Sequence, residues 1–174
     1  MRKKIIWLVV ILGALLGLLL APLPFGEKTR IQTAIEIAKP IDVVFEYVTT
    51  PAHWPQWHPA SLRVSAGADH SLTVGEQVRE DFQVAGRRGS ATWTVRQREA
   101  PSRWVIEGQS DQGGGATITY TLSSLPTGTR FERELVYGAP GLLFALLNRF
   151  SLRAQMITES EATLRRLKQI LEAA

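Results

Sequence analysis

Ile35-Glu36-Ile37-Ala38-Lys39-Pro40-Ile41-Asp42-Val43-Val44-Phe45-Glu46-Tyr47-Val48, followed by Trp54-Pro55-Gln56-Trp57-His58-Pro59, is the stretch on which the fold turns. Ile31, Ile35 and Ile37 fall on one face of a strand, because successive strand side chains point to opposite sides. Lys39-Pro40 ends that strand. Pro40 suits the first turn of a helix, where its missing N–H leaves nothing unsatisfied. Val44, Tyr47 and Val48 then recur at helical spacing. Thr49-Thr50-Pro51 closes this helix, and a second short helix covers 52–57 before Pro59 stops it.

Downstream the period changes to two. Strands are expected over 62–66, 74–84, 90–98, 104–109, 116–122 and 129–137, separated by short turns at Gly86, at Ala100-Pro101-Ser102 and at Pro126-Thr127-Gly128. Strands joined so closely imply an antiparallel meander. Ala91, Trp93 and Val95 share one face. So do Ala116, Ile118, Tyr120 and Leu122, and likewise Phe131, Leu135 and Tyr137. From about 141 to 172 the spacing becomes helical. Leu143, Leu147, Phe150, Ala154, Ile157, Glu161, Leu164 and Leu171 form the expected apolar stripe of one long helix, with a bend near Ser151. The class is α+β.

Upstream, residues 5–26 carry no charge, and as a helix they would extend about 33 Å, enough for a bilayer core. Arg2, Lys3 and Lys4 precede them, with Trp7 and Phe25 near the ends. The positive-inside rule then predicts a retained single-pass transmembrane helix with a cytoplasmic N-terminus and an extracytoplasmic domain, periplasmic in a Gram-negative cell. A cleaved leader is the competing reading, but Leu19 and Pro22 flank the best bond, after Ala21, unfavourably. The expected organisation is an anchor at 1–26, a linker at 27–30 and one domain at 31–174.

The chain has 174 residues, 45% hydrophobic and 21% charged, which suits one globular domain plus a short appendage. The net charge is +4, from 20 basic and 16 acidic residues. Removing Arg2, Lys3 and Lys4 leaves 17 basic against those 16, so no basic stripe remains to neutralise nucleic-acid phosphates. The absence of cysteine excludes disulfides, thiol nucleophiles and Cys-type zinc sites.

The order strand, two short helices, six strands and a long C-terminal helix, with the opening segment 35–59, resembles the polyketide cyclase/dehydrase family of the START and birch-pollen-allergen-like superfamily. Val74-Gly75-Glu76 and Gly128-Thr129-Arg130 are similar to its third-strand entry and last hairpin. The resemblance covers about 31–174. It implies a helix-grip fold: a curved seven-stranded antiparallel sheet around the long C-terminal helix, with a cavity between them for lipids, polyketides, hormones or quinones.

In such a fold the apolar strand faces point into the cavity. Glu80 alternates with Val78, Phe82 and Val84, so it falls on that face. Arg133 does the same between Phe131 and Leu135. A buried charge needs a partner, which makes Glu80 with Arg133, or Arg133 with Glu161, the expected pair. The bland alternative is a bulge that turns Glu80 outward. The expected ligand-binding set is Glu80, Phe82, Trp93, Tyr120, Phe131, Arg133 and Tyr137. His53, Trp54, Trp57 and His58 form the densest aromatic and imidazole cluster; packing of the short helix on the sheet is preferred for the two Trp residues. No third ligand joins the two His residues, so no metal is expected, and no cofactor either. Gly113-Gly114-Gly115 lies between strands, unlike a phosphate loop.

Three functions follow. The leading one is a membrane-anchored, non-catalytic binder of an apolar or amphipathic small molecule or lipid. The next is a cyclase or dehydratase with Glu80 as base and Arg133 steadying an enolate. The last is an envelope protein with a structural or stress role and no ligand.

Overall fold

The computed structural model describes residues 2–20, 28–84, 86–138 and 142–173, without the side chains of 2, 8–9, 18–20, 143, 147, 149 and 151. Helix α1 (Arg2–Leu20) comes first, then strand β1 (Lys28–Ile37), which takes in three of the expected linker residues. Helix α2 (Ile41–Thr49) follows, with Pro40 as its N-cap residue. A 3-10 turn (Pro51–His53) runs into α3 (Trp54–Trp57). The strands are β2 (Ser61–Val64), β3 (Gln77–Val84), β4 (Arg87–Glu99), β5 (Arg103–Ser110), β6 (Gly115–Leu125) and β7 (Gly128–Gly138). The chain ends on α4 (Leu142–Leu147), a π-helical turn (Asn148–Leu152) and α5 (Arg153–Ala173).

The seven strands form one antiparallel sheet in the order β1-β7-β6-β5-β4-β3-β2. β2 to β7 are a meander, and β1 returns beside β7. Register shifts in β2 after Ser61 and in β4 after Val95 are irregularities of the kind that bend and twist a strand. They help the sheet curve around the helix.

The alternation read from sequence holds. Ile31 and Ile37 on β1, Val78 and Glu80 on β3, Ala91, Trp93 and Val95 on β4 are buried. So are Ile118, Tyr120 and Leu122 on β6 and Phe131, Arg133 and Tyr137 on β7. α2 buries Val44, Phe45 and Val48; Phe45, not the half-buried Tyr47, is its aromatic contribution to the core. Trp54 and Trp57 are buried as the packing reading required, with Trp54 Nε1 donating to Val48 O at 3.0 Å.

The C-terminal helix keeps part of its expected stripe, Leu164 and Leu171 being buried, and departs from it elsewhere. The residues α5 buries are Ser160, Thr163, Leu164, Leu167 and Leu171. Phe150, Ala154 and Glu161, placed on the stripe by sequence, face out, and Glu161 pairs with Arg165 at 3.6 Å on the surface. Within α5 the buried row runs through Ser160, Leu164, Leu167 and Leu171, and Glu161, one residue and so about 100° on from Ser160, falls outside it. Leu143 and Leu147 lie outside the described side chains.

The expected membrane span is overturned. α1 has 19 residues, of which Arg2, Lys3 and Lys4 are the first three. Its uncharged remainder rises about 24 Å, short of a hydrocarbon core of about 30 Å. No helix among the described residues is long and apolar enough to cross a membrane. The transmembrane part of the fold class, the anchor and the extracytoplasmic placement fall with it. Residues 21–26 of the expected span lie outside the described residues.

Candidate functional site

Pairing register decides which polar side chains meet on the concave face. Val78 on β3 lies opposite Trp93 on β4, and Trp93 opposite Gly108 on β5. Gly108 has no side chain to hold the indole off: a Cβ there would stand 2.5 Å from the Trp93 ring. The ring therefore lies across β5, and Trp93 Nε1 donates to Glu80 Oε2 at 2.7 Å. Burial pushes the Glu80 carboxyl above the ordinary Glu range; the nearby Ser61 hydroxyl, the Trp93 N–H and the Arg133 charge pull it partway back.

Arg133 sits between Thr33 on β1 and Tyr120 on β6 in the cross-strand row. Its Nη1 donates to Ser160 Oγ on α5 at 3.3 Å, and Ser160 also hydrogen-bonds Thr33 at 2.9 Å. Its Nη2 contacts His58 Nε2 at 3.4 Å. Burial, and then the Arg133 charge, lower the His58 pKa to about 3, so the imidazole is neutral. With Arg133 as a donor, Nε2 is the accepting nitrogen and the proton resides on Nδ1. Burial keeps the Tyr120 phenol protonated, its pKa pushed up to about 12.

The expected set divides by place. Glu80, Trp93, Tyr120, Phe131 and Arg133 are brought onto one buried face. Phe82 is half-buried at the β3 rim, its ring against Gly89, where a Cβ would come within 2.8 Å. Tyr137 is buried further along β7 and tied elsewhere. Its hydroxyl donates to Asn148 Oδ1 at 2.6 Å, and Asn148 Nδ2 donates to Thr29 Oγ1 at 2.8 Å.

The expected ion pairs do not form. No ion pair among the described residues includes Glu80 or Arg133. Arg133 Nε and Trp57 Nε1 are buried without a hydrogen-bond partner. The Trp57 ring stands 6.3 Å from Tyr120 and 6.5 Å from Phe131, so both orphan donors belong to this cluster. Open clefts occur beside Pro40 and Gly128 and beside Tyr47 and His53, and none of the seven residues lines them.

Sequence reasoning passed over Thr33, Ser61, Gly108 and Ser160, and left His58 as a choice between packing and pocket mouth. The signal for Thr33 was its place between Ile31 and Ile35 on an inward face. Gly108 and Ser160 carried no usable signal, since one needed the register and the other the helix phase. His53 lies apart from the cluster, stacked on Tyr47 with ring centroids 4.3 Å apart.

The sequence pattern of the family described as "Polyketide cyclase / dehydrase and lipid transport" matches residues 28–172. A curated relative, "Penitrem biosynthesis cluster 1 protein I" of Penicillium ochrochloron, is 37% identical over 67 residues, 37% of this chain; the aligned part spans 44% of that protein. Among solved structures, Staphylococcus aureus SA2116, a protein of unknown function, superposes with TM-score 0.66 at 12% identity, covering 85% of this chain and 96% of that one. The di-domain ARO/CYC StfQ of the steffimycin biosynthetic pathway superposes with TM-score 0.61 at 14% identity, covering 84% and 52%. At these identities the structures establish the fold alone.

Proposed function

Because the chain belongs to the polyketide cyclase / dehydrase and lipid transport family, we propose that it holds a small apolar or amphipathic molecule between the concave sheet face and α5. The observation that carries this reading is the pair of buried N–H donors, Arg133 Nε and Trp57 Nε1, that lack an acceptor. A buried donor left unpaired costs about 1–3 kcal/mol, and a ligand oxygen relieves that. Ligand sites of this kind join mostly apolar walls to a few placed polar groups. Trp93, Tyr120 and Phe131 are the walls, Phe82 the rim, and Glu80 and Arg133 the polar groups, with Tyr137 holding the segment that leads into α5.

Saturable binding of the neutral dye Nile red to the chain, one per molecule and competed by methyl 2-naphthoate, is the expected result. Absence of binding by both compounds removes the container reading.

One observation favours chemistry as a second reading. A carboxyl whose pKa burial raises is better suited to proton transfer than an ordinary Glu. A cyclase or dehydratase would use Glu80 in that way beside Arg133. Loss of turnover of a polyketone substrate in Glu80→Gln, with binding retained, is its signature.

A further inference from the structure

Glu80 and Arg133 are the charged side chains that the described residues bury, at 6% and 4% exposure. They respond to burial differently. Glu80 can lose its charge by taking up a proton, a form that burial favours, and it accepts the Trp93 N–H. A guanidinium has no such escape, because it stays protonated at any pH a protein meets. The groups Arg133 touches are neutral, the Ser160 hydroxyl and the His58 imidazole, with Thr33 and Tyr120 as cross-strand neighbours; Glu80 acts on it only through space and forms no ion pair with it. A buried charge without a counter-charge is strongly unfavourable.

The unused part of the guanidinium is specific. Nε has no partner, and the adjacent Nη2 makes one long contact of 3.4 Å to His58. Two neighbouring N–H groups in a fixed plane are what a carboxylate accepts in a bidentate pair. Trp57 Nε1 is a further free donor in the same cluster. The rings of Trp57, Tyr120 and Phe131, at centroid distances of 5.1 to 6.5 Å, favour a flat apolar body behind that head group.

We propose that the ligand is an organic acid, a carboxylate on a flat apolar body, and that the Nε–Nη2 edge of Arg133 receives the carboxylate. This rests on reading the cluster as a ligand site. It goes further in fixing the sign of the ligand's charge and the atoms that meet it.

The test compares 2-naphthoate with methyl 2-naphthoate, which share a body and differ in charge, by displacement of Nile red from the full chain at neutral pH. The acid should bind at least about tenfold more tightly, the order expected of a charge-assisted bidentate pair. Arg133→Met should bring the acid to the level of the ester and leave the ester within about threefold of wild type. Arg133→Lys, which keeps the charge and loses the fork, should retain a reduced preference, and it serves if the Met variant fails to melt cooperatively. Equal affinity of acid and ester in the wild type overturns the carboxylate assignment and leaves the container reading standing. Failure of Nile red, acid and ester alike overturns both. A full acid preference in folded Arg133→Met overturns the role of Arg133.

Discussion

Two neighbourhoods of one sheet face sit a few residues apart and behave differently. Around Trp54, Trp104 and Leu122 the core is closed: Trp54 and Trp104 meet edge-on at 6.3 Å, and Trp54 Nε1 donates to Val48 O at 3.0 Å. Leu164, Leu167 and Leu171 close over the same core, and Trp104 Nε1 donates to Leu72 O at 3.2 Å. Around Arg133, Glu80 and Trp57 the side chains are buried too, but the Arg133 Nε and Trp57 Nε1 donors have no acceptor and Arg133 has no ion-pair partner among the described residues. Burial alone therefore does not tell a core from a site. What separates them is whether the buried polar atoms are satisfied from within the chain. The first neighbourhood holds the fold together, and the second is free to serve something else.

The sharpest way to break the contrast is in the first neighbourhood. Leu167, fully buried on α5, should not tolerate a carboxylate. Leu167→Asp is expected to lose at least about 4 kcal/mol and the cooperative thermal transition. A variant that melts like wild type would place the α5 stripe elsewhere.

Gly108→Ala tests the boundary between the two. Its methyl meets the Trp93 ring, and overpacking of this kind costs about 1–3 kcal/mol. Trp93→Phe should remove part of that penalty, because the smaller ring can retreat. A double-mutant cycle on melting free energies measures the coupling, and no coupling would mean that Trp93 does not rest on Gly108.

In the second neighbourhood the expected effects depend on pH. His58 has a folded pKa of about 3 against about 6.5 when unfolded. The unfolded chain therefore takes up the proton first. Stability from this group is full above about 6.5 and falls as pH drops towards 3, at up to about 1.4 kcal/mol per pH unit. His58→Asn should flatten urea midpoints across that window. Glu80 has the opposite sign. Its folded pKa is raised, so its contribution is full below the unfolded value and is lost as pH rises through the folded one. Glu80→Gln keeps an acceptor for Trp93 and should leave the chain as stable or more stable at pH 8. A clear destabilisation there would mean that Glu80 is ionised and paired.

The smallest effect belongs to the convex face. Arg96 and Glu107 pair at 2.8 Å with both side chains about half exposed. Arg96→Gln should change stability by less than about 0.5 kcal/mol, and less still in high salt.

The sheet was legible because period-two alternation needs only neighbouring letters. Val78-Arg79-Glu80-Asp81-Phe82 gives the inward position of Glu80 directly, and Phe131-Glu132-Arg133 does the same for Arg133. Their partners were not legible. Pairing depends on which residues of different strands stand opposite, and Glu80 found Trp93 rather than Arg133. Ser160 and Glu161 exchanged places for a different reason: both lie about one turn before Leu164, and spacing alone does not say which of the two neighbours faces the sheet. The N-terminal segment misled through length, since the uncharged run was counted on to Gly26, whereas the described part of it, up to Leu20, is too short to cross a bilayer core.

The π turn at Asn148–Leu152 has a bearing on how this chain can change its length. Thr29, Tyr137 and Asn148 lock its leading edge to the sheet, while Ser160 to Leu171 lock the helix behind it. The extra residue that a π turn inserts reconciles two anchor points that an unbroken α-helix would hold out of phase. Removing one residue between them swings one anchor about 100° around the axis. Either Asn148 leaves its two hydroxyls, or the leucines leave the sheet and carry Ser160 away from Arg133. Residue number in this turn, more than residue identity, is the tolerance-limiting quantity. A one-residue deletion there should be harsher than a substitution at Phe150, which points into solvent.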